Sequence, residues 1–160
     1  MVEENMEPSD PGHQPVDLEG WIKSQMDPRV DWDTYFLSIA HAVSMRGECT
    51  RARVGAIVVL DRRIVATGYN GAPAGHPNCF QGACPRGKYT LEQMPHLGGD
   101  TNYTDCIAIH AEANALLQAG RDARGAALYG THQPCHGCIK LMAGAGITRF
   151  VTPSLTGDLI

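Results

Sequence analysis

Apolar side chains recur along this chain with two different periods. Between Asp31 and Gly47, in DWDTYFLSIAHAVSMRG, the residues Trp32, Tyr35, Phe36, Ile39 and Val43 follow one another at helical spacing. A helix turning every 3.6 residues gathers them on one face. Asp31 stands where an N-cap accepts from free amides, and Gly47 stands where a helix stops. The pattern then changes. VGAIVVL and RIVATGY are short, β-branched runs joined at Asp61-Arg62, a link of hairpin size. From Asn70 to Asp105 the periodicity fades into a Gly- and Pro-rich segment, longer than loops in compact domains usually are unless function or something other than a core orders them.

Beyond that segment the rhythm is regular. A helix over 110–119 ends at Gly120, AALYGT reads as a strand, a helix runs from about 135 to 145 and ends near Gly146, and ITRFVTP reads as another strand. Alternation of this kind predicts an α/β fold whose sheet is covered by helices on both faces. A chain of 160 residues accommodates one such domain with an ordinary core, placed here at residues 32–160.

Composition refines this picture. The chain is 43% apolar and 19% charged, and no apolar run approaches the roughly 20 residues that cross a bilayer. Residues 1–31 hold eight acidic and two basic side chains, net −6, and are expected to form a flexible arm. The remaining eleven basic and nine acidic side chains leave +2, far too little for a nucleic-acid surface. The N-terminus lacks the basic start and apolar block of a secretory signal, so a cytoplasmic protein is expected, with no membrane partner. In a reducing compartment its six cysteines read as metal ligands or core residues rather than disulfides.

Two short motifs carry chemistry. QPCHGC places Cys135 and Cys138 at the start of a predicted helix, where free amides and the helix dipole favour thiolates. His110 also opens a helix, 25 residues upstream, with one strand between. If the two helices lie side by side, one imidazole and two thiolates converge into a zinc site with its fourth position open, the catalytic type. Glu112, two residues after His110, can then serve as a proton carrier beside the metal. The other four cysteines, Cys49, Cys79, Cys84 and Cys106, flank or lie in the long segment and are expected to hold a second, structural zinc. Four thiolates make a closed tetrahedral shell, and metal binding offsets the entropy of ordering a segment with few apolar positions. Small buried residues or free thiols are the simpler reading of the same four positions.

His110-Ala111-Glu112 followed by Pro134-Cys135-His136-Gly137-Cys138 resembles the zinc-dependent cytidine/deoxycytidylate deaminase superfamily. WDTYFLSIA, CTRARVGAIVV, GYNGAPAG, HAEANALL and AGI are similar to bacterial and phage deoxycytidylate deaminases, over residues 32–151. The resemblance implies a three-layer α/β/α cytidine deaminase-like fold. It also implies hydrolysis of dCMP to dUMP and ammonia by a zinc-bound hydroxide, Glu112 acting as proton shuttle. Backbone near Ala111 is then expected at the base, Asn70 at the sugar and Arg51, with Arg46 beside it, at the 5′-phosphate. A homo-oligomer is implied too, family members often being hexamers. Relatives often carry Ser after the first helix's Arg, where this chain has Arg46-Gly47. Few residues follow Val151, so the sheet is expected to have four to five strands. CMP or a 5-substituted dCMP are alternative substrates; a tRNA or single-stranded DNA deaminase and a non-catalytic zinc module fit less well, the last because it has no use for Glu112.

Overall fold

Asp31 caps the first helix as its position in the sequence predicts. Its carboxylate accepts from the Thr34 amide at 2.9 Å and from the Thr34 hydroxyl at 2.7 Å, and α1 follows over Trp32–Ser44 with Phe36, Ala40 and Ser44 buried. This computed structural model describes residues 28–89 and 106–159, so the acidic arm lies almost wholly outside the described residues, as does part of the long segment.

The hairpin forms where the β-branched runs meet: β1 (Gly55–Leu60) pairs antiparallel with β2 (Arg63–Tyr69). Asp61 and Arg62 both take positive φ, 48° and 62°, as a two-residue turn of type I′ requires. β1 also pairs antiparallel with β3 (Ala127–Gly130). The helices of the second half are α2 (Ala111–Ala119) and α3 (His136–Ala145); α3 crosses from β3 to β4 (Arg149–Val151), which pair in parallel. The sheet does not stop at four strands. β5 (Thr156–Asp158) adds antiparallel to β4, giving the order β2-β1-β3-β4-β5.

Alternation along the central strands sorts the core into two halves. Ile57, Val59, Tyr129 and Val151 pack with Phe36 and Ala40 of α1. Ala56, Val58, Leu128 and Phe150 face the other way, onto Ala115 and Leu116 of α2 and Met142 of α3. The result is a three-layer α/β/α body. Two glycines set how closely the helices approach it. A Cβ on Gly55 would lie 2.2 Å from the Ala40 carbonyl of α1, and one on Gly68 would lie 2.3 Å from both the Ala111 carbonyl and the Ala115 amide of α2.

Strand directions bring five chain segments to one end of the sheet. β1 begins there opposite the ends of β2 and β3, through the pairs Gly55↔Tyr69 and Ala56↔Gly130. The N-terminus of α2 rests on β2 at Gly68, and α3 starts six residues after β3 ends. The long segment leaves from the same end and is clasped at its base by a bridge in which Gly71 and Ile109 exchange amide–carbonyl bonds of 3.2 and 2.9 Å.

Candidate active site and metal centre

His110 and Cys135 occupy equivalent places, the N-cap positions of α2 and α3. Both helices start at the same end of the sheet, so their first turns face one another. The Nδ1 of His110 lies 3.5 Å from the Cys135 sulfur and 3.4 Å from the Cys138 sulfur, and one ligand atom from each residue lies within 4.8 Å of the others. A tetrahedral zinc with sulfur at about 2.3 Å and nitrogen at about 2.1 Å separates such ligands by about 3.6 Å. The donor set therefore fits zinc. The Cys135 sulfur also accepts from the Cys138 amide at 3.5 Å, which fixes its direction.

Glu112 follows in the first turn of α2, 5% exposed, with its Oε2 3.6 Å from the Cys138 sulfur. Burial, and then the neighbouring Glu112 carboxylate, push the Cys138 thiol well above the usual cysteine range. Two acidic groups facing one another in a buried corner are what a divalent cation relieves.

His110, Glu112 and Cys135 line the inner end of a cavity of about 380 Å³, with Cys138 buried behind them. Ala111 and Asn70 line it as well, and Arg51 stands at its exposed side. Asn70 is 9% exposed; its side-chain oxygen accepts from the Val54 amide and its NH₂ donates to the Ala52 carbonyl, both at 2.8 Å. It thus holds the chain that enters β1. Arg51 donates to the carbonyls of Arg86, at 2.6 Å, and Tyr89. Arg46, exposed beyond the end of α1, is not among the residues that line the cavity.

Cys49, Cys79, Cys84 and Cys106 all reach the same cavity wall. Cys79 and Cys84 lie close enough for each thiol to shift the other's titration. Burial raises Cys79 to about 12, with the neighbouring sulfurs adding to it, and burial raises Cys106. Cys84 stays below its ordinary value: burial opposes, but the amides of Gly87, Arg86 and Ile107 and the Cys79 thiol outweigh it. Among the described residues, His110, Cys135 and Cys138 alone have ligand atoms all within 4.8 Å of one another, so the four outer sulfurs are the looser set.

Three features escape sequence reading. Gly47 packs against Asn70, where an added Cβ would fall 2.6 Å from the side-chain oxygen. Glu48 accepts from the Ala72 amide at 3.2 Å, securing the start of the long segment. His132 lines the cavity, while His41 and His136 are simply exposed; in the sequence His132 differs from these two by no motif.

Known proteins converge on the same description. The model of the cytidine and deoxycytidylate deaminase zinc-binding region matches residues 30–153. Deoxycytidylate deaminase of Mycobacterium phage D29 is 49% identical over 130 residues, covering 78% of this chain and 96% of that protein. The Saccharomyces cerevisiae deoxycytidylate deaminase is 41% identical over 133 residues, 81% of this chain and 40% of the yeast protein. Among solved structures, dCMP deaminase from the cyanophage S-TIM5 in complex with dCMP and dUMP superposes with a TM-score of 0.58 at 32% identity, over 80% of this chain and 83% of that one.

Proposed function

This chain belongs to the cytidine and deoxycytidylate deaminase zinc-binding family, has its α/β/α fold, and on that premise we propose that it hydrolyses dCMP to dUMP and ammonia, supplying dUMP for thymidylate synthesis. The observation that carries the reading is the buried Glu112 carboxylate beside the His110, Cys135 and Cys138 cluster, at the inner end of a nucleotide-sized cavity. The identity to deoxycytidylate deaminases of a phage and of yeast favours dCMP over CMP or a 5-substituted dCMP.

His110, Cys135 and Cys138 would hold the zinc, which when bound lowers the pKa of a coordinated water to about 7. Glu112 takes a proton from the attacking water, delivers it to N3 of the pyrimidine, and passes a second to the departing amine. Its burial keeps that carboxylate out of competing solvent contacts. Backbone at Ala111 faces the base. Asn70 has a second lone pair and a second N–H for the sugar hydroxyl, and Arg51 has guanidinium donors beyond those spent on Arg86 and Tyr89 for the 5′-phosphate. Arg46 contributes only general positive charge.

A second, structural zinc in Cys49, Cys79, Cys84 and Cys106 belongs to this reading. Support comes from their gathering on one wall and from mutual effects on their thiols. The working enzyme is read as a cytoplasmic homo-oligomer, a hexamer by family resemblance, acting on a free nucleotide without nucleic acid or membrane. No described helix is long and apolar enough to cross a membrane. Ammonia release from dCMP by wild-type and Glu112→Ala protein tests the function. Loss of turnover by a factor of at least about 10² is expected; equal rates would overturn it.

A further inference from the structure

We propose that His132 is a specificity-determining residue whose Nε2–H donates to the substrate's 5′-phosphate, sharing that group with Arg51. The inference rests on the deaminase reading and goes further by assigning a second side chain to nucleotide selection.

His132 follows the end of β3, and two hydrogen bonds hold this turn to the start of β1. The Thr131 amide donates to the Gly55 carbonyl at 3.0 Å, and the Gly55 amide donates to the Thr131 hydroxyl at 3.1 Å. The same hydroxyl lies 3.0 Å from Nδ1 of His132. That contact anchors the ring through Nδ1. The hydroxyl keeps its own proton after accepting from Gly55, and in the tautomer that takes this proton at Nδ1 the ring hydrogen resides on Nε2. The described residues supply no partner for Nε2.

Burial orders the cavity from its inner end to its mouth. Glu112 and Asn70 are 5% and 9% exposed, whereas Arg51 and His132 are exposed lining residues. A cytosine nucleotide whose C4 amine reaches Glu112 carries its sugar and phosphate outward, so the dianion arrives among the exposed donors. Arg51 lies on the segment entering β1 and His132 on the turn leaving β3, two neighbouring strands. Gln133, next along, also lines the cavity, but its amide is already engaged, donating to the Ser154 hydroxyl at 3.5 Å. A phosphate offers three acceptor oxygens, enough for both side chains.

The readout is the ratio of kcat/KM for dCMP to kcat/KM for deoxycytidine, with zinc content and melting temperature measured on every variant. His132→Ala should lower that ratio about tenfold, the size of one lost hydrogen bond to a charged group, and chiefly through KM for dCMP. His132→Gln, whose amide reaches the place of Nε2, should recover most of it; His132→Asn, which mimics only Nδ1, should not. Calorimetric binding of dUMP against deoxyuridine reads the same contact without turnover. If wild-type protein deaminates neither substrate, the deaminase reading falls while the calorimetric comparison still decides His132. An unchanged ratio and unchanged dUMP discrimination in His132→Ala, or equal losses on nucleotide and nucleoside, would overturn the proposal.

Discussion

The carboxylate of Asp33 and the guanidinium of Arg149 meet as two parallel forks, Nη2 to Oδ2 at 2.6 Å and Nη1 to Oδ1 at 2.9 Å. Tyr129 donates its hydroxyl to the same Oδ1 at 2.9 Å. The pair joins the first turn of α1 to β3 and β4 across 116 residues of sequence, pinning one helical layer to the sheet. Both charged side chains are about one-third exposed, so solvent screens much of the attraction.

Stability should therefore depend on pH at both extremes. Hydrogen bonds from Arg149 first hold Asp33 below the ordinary carboxylate range; its contribution is present above about 3.9, the unfolded value, and is lost as pH falls through the lower folded value. Tyr129, raised to about 12 mainly by burial and then by Asp33, contributes below about 10 and loses that contribution as pH rises toward 12. In urea titrations Asp33→Asn should flatten the acid limb and Tyr129→Phe the alkaline limb. Asp33→Ala should cost about 1 kcal/mol at pH 7. Unaltered limbs in both variants would refute the linkage.

Gly68→Ala should be among the most damaging single-methyl changes in the chain. The new Cβ would have to displace backbone at Ala111 and Ala115 rather than a pliable side chain, and overpacking of that kind costs about 1–3 kcal/mol. Because α2 begins beside His110, zinc affinity should fall with stability. Competition with a chelator, together with urea unfolding, checks both; a loss of stability with wild-type zinc affinity would show that α2 yields without moving its cap.

Metal counting separates the two cysteine sets. Purified protein should hold two zinc ions per chain, and Cys79→Ser one, with KM for dCMP raised and melting temperature lowered but the catalytic metal kept. Cys138→Ser should remove the catalytic metal and turnover. One zinc per chain in metal-replete wild-type protein would remove the structural site from the account.

Arg51→Ala should raise KM for dCMP about tenfold or more, as expected for a charge-assisted bond, and should also loosen the Pro85–Lys88 turn that its guanidinium ties down. Limited proteolysis near Arg86 and Lys88 reports the second effect. Tighter dCMP binding in the variant would mean that Arg51 serves the turn alone.

Much of this site was legible in the sequence because local rules determine it. Asp31 caps, Asp61-Arg62 turns, and the His110 and Cys135 motifs open helices whose adjacency follows from the strand between them. Residues whose meaning is tertiary were silent. Thr156-Gly157-Asp158 has no apolar alternation to announce a strand; β5 forms through backbone pairing to β4, with Gly157 admitting the Phe150 ring at 2.7 Å from a would-be Cβ. Asp33 and Arg149 gave no sign of one another. Asn70 was read for its ligand, yet its amide holds the chain entering β1, and Gly47 makes sense only against that side chain.

Because β1 runs from Gly55 at the cavity to Leu60, the Asp61-Arg62 turn lies about 20 Å from the chemistry, at 3.3 Å per residue. Its one tertiary tie among the described residues is the Arg62 guanidinium, 5.2 Å above the Trp32 ring. The hairpin tip is thus a splice point: a short epitope or reporter peptide set between Asp61 and Arg62 extends away from the catalytic end. The strand pairing that assembles that end remains in register beneath it.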